Sequence, residues 1–205
     1  MWKYAPFHEF LMQCLQNPHV SDCVLIDNDH AHAPDNLPAH HKLNRINYNT
    51  NLFVNPSWNL GVYEAKSPIL CFQNDDIQFD THIYDHVVQF TQHTPNWGML
   101  GLLRDACAHG AQGVHMPLAQ QQFPNGVGRL FFVQRQNWID IPAEIPINYG
   151  DFFQWRMQAK RQDNYFICNL PHDTPDSQTS RFFTHVYAQE SEQWLQICDK
   201  YGIDS

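Results

Sequence analysis

Two short segments of similar sequence carry the residues best suited to acid–base chemistry. The segments FDTHIY and FFTHVY each contain a histidine followed two residues later by a tyrosine. If both segments are strands, each histidine lies on the same face as its tyrosine. Two imidazoles that face one cleft can act as general base and general acid. The predicted catalytic residues are therefore His82 and His185, and the predicted ligand-binding hydroxyls are those of Tyr84 and Tyr187.

This pattern resembles the 2H phosphoesterase superfamily, in which two strands of a bilobal fold each carry a His-x-Thr or His-x-Ser motif. The resemblance implies a hydrolase that acts on a small phosphodiester or cyclic phosphate and needs neither a metal nor another cofactor. This chain has tyrosine where that family has threonine or serine, which places the hydroxyl further from the backbone. The likeness between the two segments extends over about 77–100 and 180–204, as expected for an internal duplication.

A second group of histidines favours a metal site instead. The sequence DNDHAH begins at Asp27, directly after the apolar run VLI. A His-x-His pair at the end of a strand is a common way to hold Zn or Mn, because both imidazoles can converge there. This alternative predicts a metal-dependent hydrolase with His30 and His32 as ligands.

Other features favour a protein that binds without catalysing a reaction. Trp58, Tyr63, Asp85 and Trp97 follow the order found in the autoinducer-binding domain of LuxR-type regulators. This second resemblance implies a sensor with a pocket for a small ligand. A net charge of −9 also suits an inhibitor or immunity protein that binds a basic partner, since complementary charge speeds association. The sequence leaves open whether the chain is an enzyme.

The charge disfavours nucleic acid as a partner. The segment Glu64-x-Lys66, with Asp35 upstream, resembles the motif of PD-(D/E)xK nucleases. However, only 12 Lys and Arg stand against 21 Asp and Glu, and binding to duplex DNA depends on basic side chains that neutralise phosphates. We therefore expect a small phosphorylated or polar ligand, or a basic protein, and no duplex DNA.

Composition predicts one domain that is soluble and cytoplasmic. A chain of 205 residues that is 43% hydrophobic can bury a core. It contains no apolar run of about 20 residues, so no membrane span is expected, and its first residues do not resemble a signal peptide. The six cysteines form no CxxC pair and are expected to be buried free thiols.

Hydrophobic periodicity predicts an α+β sandwich with a mostly antiparallel sheet over residues 1–205, which an internal duplication would divide into two lobes. Helices are predicted at 7–15, 100–107, 149–161 and 191–201. Strands are predicted at 23–26, 61–64, 69–72, 77–84, 113–118, 129–134, 165–168 and 182–187. The polar segment 28–50 is predicted to be a loop.

Overall fold

A mixed sheet of four strands forms the centre of the structure. The structure is a computed structural model that describes residues 7–28, 37–48, 50–103, 112–119, 127–173 and 184–205, with the backbone alone for residues 184 and 185. The helices are α1 (Phe7–Gln16), α2 (Val54–Glu64), α3 (Ile83–His93), α4 (Gly150–Ala159) and α5 (Thr184–Tyr201). The strands are β1 (Cys23–Asp27), β2 (Leu43–Asn47), β3 (Ile69–Gln73), β4 (Gln78–Phe79), β5 (Met99–Leu102), β6 (Leu130–Gln134), β7 (Tyr165–Ile167) and β8 (His172–Asp173).

The strand order of the central sheet is β3-β6-β5-β7. Its pairs are antiparallel except for β5 and β7, which are parallel. Strands β1 and β2 form a separate parallel pair, and β4 pairs antiparallel with β8. The predicted α+β class is confirmed, and its sheets are only partly antiparallel.

Strand β6 shows why the central sheet is buried on both faces. Leu130 and Phe132 belong to a core cluster with residues of α1 and α3, whereas Phe131 and Val133 belong to one with residues of α2 and α4. Successive side chains of a strand point to opposite faces, so an uninterrupted apolar run is typical of a sheet covered on both sides. A third cluster packs α4 against α5.

Several predicted elements are confirmed and others are wrong. Helices α1 and α4 and strands β1, β3, β6 and β7 occur close to where the apolar pattern predicts them. Residues 99–102 form a strand in which every residue is buried, where the pattern predicted the start of a helix. Residues 61–64 belong to α2. The segment 28–50, predicted to be a loop, contains β2. Its sequence LNRIN is too polar for the apolar pattern to indicate a strand.

The cysteine prediction is partly wrong. Cys168 is disulfide-bonded, whereas Cys14, Cys23, Cys71 and Cys198 are free. Of these free thiols, Cys14 and Cys198 are buried and Cys71 is exposed. Among the helices in the described part of the chain, none has the length and apolar character needed to cross a bilayer.

Candidate functional site

The segment around His82 begins a helix, so the strand predicted there is wrong beyond Phe79. Strand β4 ends at Phe79 and His82 is the N-cap of α3. An Asp80 side-chain oxygen accepts a hydrogen bond from the backbone N–H of His82 at 3.0 Å. Aspartate near the first turn satisfies free backbone N–H groups and favours the start of a helix. This capping signal in the sequence was outweighed by the alternation of apolar residues.

His82 and Tyr84 consequently have different surroundings. The His82 imidazole is exposed, and its Nδ1 lies 3.0 Å from Oδ2 of Asp85. This hydrogen bond, with the charges of Asp80 and Asp85, raises the pKa of His82. The other oxygen of Asp85 lies 2.9 Å from Nε2 of His19. Tyr84 is buried, and its hydroxyl lies 3.5 Å from Sγ of Cys14.

The second segment also belongs to a helix, because α5 begins at Thr184. Tyr187 is exposed, and its ring stacks on that of Tyr149 with centroids 5.8 Å apart. The side chain of His185 lies outside the described part of the structure, so its approach to His82 stays a prediction. The alternative metal ligands His30 and His32 also lie outside the described residues.

A different group of chemically capable residues surrounds the short turn 127–129. Asp75 and Asp76 follow the carboxyl end of β3, and the N–H of Asn74 donates to the carbonyl of Arg129 at 3.2 Å. On the other side of this turn, the carboxylate of Asp151 accepts a hydrogen bond from the N–H of Gly128. The turn therefore lies between the acidic pair that follows β3 and the carboxylate of Asp151 in the first turn of α4.

Glycine is required where the turn meets Asp151. A Cβ atom at position 128 would collide with the carboxylate of Asp151. Oδ1 of Asp151 also accepts a hydrogen bond from the N–H of Phe152 at 3.0 Å. These two backbone donors fix the carboxylate at the start of α4, where the partial positive charge of a helix N-terminus favours an anion.

Buried side chains hold the segment that leads into Asp151. Nδ2 of Asn55 donates to the carbonyls of Ile145 and Asn148, at 2.5 and 2.9 Å. Glu190, which is buried in α5, accepts hydrogen bonds from the N–H groups of Ile147 and Asn148, at 2.6 and 2.9 Å. Elements distant in the sequence thus position Asp151 through its preceding loop.

The protonation of these carboxylates suits different roles. Burial raises the pKa of Asp151 from 3.8 to about 6, against the effect of its backbone donors. Burial and the charge of Asp75 raise the pKa of Asp76, which Arg129 partly offsets. A carboxylate with a pKa near neutrality is suited to general base catalysis. A carboxyl group whose charge is disfavoured by a neighbouring carboxylate, as in Asp76, is suited to a divalent cation.

The carboxylates after β3 suit a cation that also binds oxygen atoms of a ligand. Asp75 and Asp76 provide hard oxygen ligands, and Mg²⁺ commonly takes one or two carboxylates together with phosphate oxygens. Within the described residues, no group of three or more His, Cys, Asp or Glu side chains has the geometry to hold a metal ion. A cation at this place would therefore depend on oxygen atoms of the ligand.

A cavity of about 560 Å³ opens beside this site, between β1 and β3. Asn28, Asn74 and Asp75 line one end of it, at the carboxyl ends of the two strands. At the other end, the hydroxyl of Ser67 donates to Oδ1 of Asp22 at 2.6 Å. Apolar side chains line most of the space between these ends.

Comparisons with known proteins identify a related fold. No protein-family model matches the chain, and no curated protein matches it. Among solved structures, the fold is similar to that of TarS 1–349 from S. aureus, with a TM-score of 0.53 and 12% sequence identity. The match covers 79% of this chain and 56% of the TarS chain. This chain thus corresponds to little more than half of TarS 1–349, and the similarity establishes a shared fold.

Proposed function

We propose that the protein is a glycosyltransferase that uses a nucleoside-diphosphate sugar as donor. The observation that carries this proposal is the acidic pair Asp75 and Asp76 directly after β3, with the buried carboxylate of Asp151 on the other side of the turn 127–129. In open α/β sheets, ligands bind beyond the carboxyl ends of the strands, where Asp75 and Asp76 lie. The related fold of TarS, a glycosyltransferase, supports the assignment by analogy.

The charges of the site suit a diphosphate. The chain has a formal charge of −9, so a phosphorylated ligand needs a local source of positive charge. The charge of Arg129 offsets part of the raised pKa of Asp76, so Arg129 lies near that carboxylate. Asp75 and Asp76 would hold a divalent cation, which would neutralise charge on the diphosphate. This ligand agrees with the small phosphorylated molecule expected from the sequence.

Asp151 is the residue proposed to act on the acceptor. Its carboxylate would remove the proton from an acceptor hydroxyl, whose oxygen would then form a bond to the anomeric carbon of the donor sugar. The bond between that carbon and the diphosphate oxygen breaks, and the nucleoside diphosphate leaves with the electron pair. The hydrogen bonds from Gly128 and Phe152 keep the carboxylate in one orientation during this proton transfer.

The other functions predicted from the sequence stay predictions. Neither the paired-histidine phosphodiesterase nor the non-catalytic binding protein is tested by the described residues, and both stay predictions. The helical position of His82 removes the strand geometry on which its pairing with Tyr84 was based.

Nucleotide binding tests the proposed function directly. We expect calorimetric titration with UDP, GDP, CDP and ADP to show binding of one of them in the presence of Mn²⁺ or Mg²⁺ and none with EDTA. Asp76→Asn should weaken this binding by about tenfold or more, because a hydrogen bond or ion contact to a charged group contributes about 1.5–3 kcal/mol. The matched control is Asp199→Asn, which removes one exposed carboxylate on α5.

Two outcomes would contradict the proposal. One is nucleotide binding that is independent of both the cation and Asp76. The other is an absence of binding to all four nucleoside diphosphates together with hydrolysis of 2′,3′-cyclic nucleotides, which would favour the paired-histidine prediction.

A further inference from the structure

Three aromatic rings form a stack that runs from the core between α4 and α5 to the surface. The Tyr149 ring is the middle one, with its centroid 5.2 Å from that of Trp194 and 5.8 Å from that of Tyr187. The interplanar angles of these two stacked pairs are 9° and 29°. Trp194 is 5% exposed, whereas Tyr187 is 52% exposed. Because Tyr149 covers one face of the Tyr187 ring, the opposite face is open to solvent.

Hydrogen bonds and the backbone fix this stack in place. Oγ of Ser191 donates to the carbonyl of Tyr187 at 2.8 Å. The hydroxyl of Tyr149 lies 2.8 Å from the same Oγ and is the donor to it, because the single proton of Ser191 is already used. Tyr149 has a φ of 61°, a left-handed conformation that is strained for a residue other than glycine. Such residues persist where their surroundings hold them, and they are concentrated at ligand-binding sites.

The stack is next to the residue proposed to act on the acceptor. Tyr149 is the N-cap of α4, and Asp151 lies in the first turn of that helix. Their Cα atoms are at most about 7.6 Å apart, since successive Cα atoms are separated by about 3.8 Å. Both residues are half-buried and reach the surface. The proposed donor contacts lie on the other side of the turn 127–129 from Asp151. The exposed ring of Tyr187 is therefore placed to contact the acceptor.

The charge around the exposed ring suits an uncharged ligand. The segments 139–149 and 184–199, which build the stack, contain acids but no Lys or Arg. A phosphate or carboxylate group would be repelled there. The face of an aromatic ring carries partial negative charge and attracts the C–H groups of an apolar surface. A neutral sugar ring presents such a surface on its face and has hydroxyl groups at its edge, as an acceptor for Asp151 requires.

We infer that the exposed face of Tyr187 is a subsite for a neutral sugar ring of the acceptor, adjacent to the sugar unit whose hydroxyl contacts Asp151. The inference rests on the proposed function, because Asp151 defines the acceptor side of the site. Aromatic side chains with a few fixed polar groups are typical of small-molecule sites. A ring that is already held by its neighbours loses little freedom when the sugar binds. The acceptor is therefore a disaccharide or a longer saccharide.

Binding of neutral disaccharides tests this subsite without catalysis. The probes are cellobiose, maltose, lactose and N,N′-diacetylchitobiose. We expect saturation-transfer difference NMR to show binding of at least one of them, with the largest transfer to C–H protons on one sugar face. In protein with ring-labelled tyrosine, the Tyr187 signal is assigned by its loss in Tyr187→Phe and should shift during the titration. This shift is measured on the native chain, so it does not depend on the folding of any truncated variant.

Substitutions of Tyr187 separate the effect of the ring from that of its hydroxyl. We expect Tyr187→Ala to weaken disaccharide binding by about fivefold or more, because the stacking face is lost. Tyr187→Phe and Tyr187→Trp keep an aromatic face and should bind within about twofold of the native protein. The matched control is Leu195→Ala, which removes another exposed apolar side chain from α5 and should leave binding unchanged. Binding of the nucleoside diphosphate should be the same in all these variants.

Three results would overturn the inference. One is the absence of a shift in the Tyr187 signal with all four disaccharides. Another is an equal loss of binding in Tyr187→Phe and Tyr187→Ala, which would assign the contact to the hydroxyl. The third is a larger shift with glucose 6-phosphate or tetramethylammonium than with any disaccharide, which would assign the surface to a charged ligand.

Failure of the proposed function would be recognised separately. If no nucleoside diphosphate binds while a disaccharide shifts the Tyr187 signal, the transferase assignment is wrong and the sugar subsite stands. If a nucleoside diphosphate binds with a cation while no disaccharide shifts that signal, the subsite is wrong and the transferase assignment stands.

Discussion

Replacing Asp151 with asparagine should reduce sugar transfer by about 10²–10⁴-fold, the usual contribution of a general base. The substitution keeps the shape of the side chain and removes its ability to take a proton. Binding of the nucleoside diphosphate should change little, because the proposed donor contacts are made by Asp75, Asp76 and Arg129. Nucleotide release from the donor in the presence of acceptor measures the effect, and the Asp199→Asn variant again provides the control.

The pH dependence of the native protein should report the same carboxylate. Because burial raises the pKa of Asp151 to about 6, the basic form dominates only above that pH. Transfer should therefore increase as pH rises through about 6 and then level off. A profile that is flat between pH 5 and pH 8, or an Asp151→Asn variant with full activity, would contradict this role.

The stability of the fold should fall as Asp151 loses its proton, whereas activity should rise. Its pKa in the fold is raised above the ordinary value of 3.8, so the folded state binds the proton more tightly than the unfolded chain does. Ionisation of Asp151 consequently costs stability as pH rises from about 4 to about 6. Relative to the native protein, Asp151→Asn should gain stability across this range, as measured by urea unfolding at each pH. A destabilised variant at pH 8 would point to a structural role instead.

The elements with clear apolar patterns, which supply much of the hydrophobic core, could be predicted from the sequence. The apolar residues of α1 recur at helical spacing, and β1, β3 and β6 are short apolar runs. The structure has each of these elements close to its predicted position. The residues MLGL of β5 do not alternate between apolar and polar, because the strand is buried on both faces of the sheet, and the sequence therefore predicts a helix there. Strand β2 was missed because Arg45 gains its buried partner, Asp27, only in the folded protein.

The candidate site was harder to predict than the fold. The acids Asp75 and Asp76 follow a correctly predicted strand, which is a detectable signal, but an acidic pair after a strand is also typical of an ordinary turn. The proposed role of this acidic pair also involves Asp151, which is distant in the sequence and lies on the other side of the turn 127–129. The raised pKa of Asp151 depends on burial, which no local pattern reveals. By contrast, the repeated His-x-Tyr segments were conspicuous in the sequence, but the first of them begins a helix.

The buried Asp27–Arg45 ion pair, which joins β1 to β2, should be costly to break by removing only one partner. Asp27 is fully buried, and Nη2 of Arg45 lies 2.7 Å from its Oδ2. Their strands pair at this end, with Asp27 opposite Asn47 and Leu25 opposite Arg45. Arg45→Met keeps much of the aliphatic volume of the side chain but removes the guanidinium from a carboxylate that water does not reach.

We expect Arg45→Met to lower the free energy of unfolding by about 3–5 kcal/mol, the cost of breaking a buried ion pair on one side. Urea unfolding at pH 7.5 measures this loss, and Arg161→Met, which removes an exposed arginine, should change stability by about 0.5 kcal/mol or less. The double variant Asp27→Asn/Arg45→Met should be more stable than Arg45→Met alone, because the unfavourable buried charge is also removed. Equal losses for Arg45→Met and Arg161→Met would show that the pair contributes little. A double variant less stable than Arg45→Met would show that Asp27 acts mainly through its other contacts.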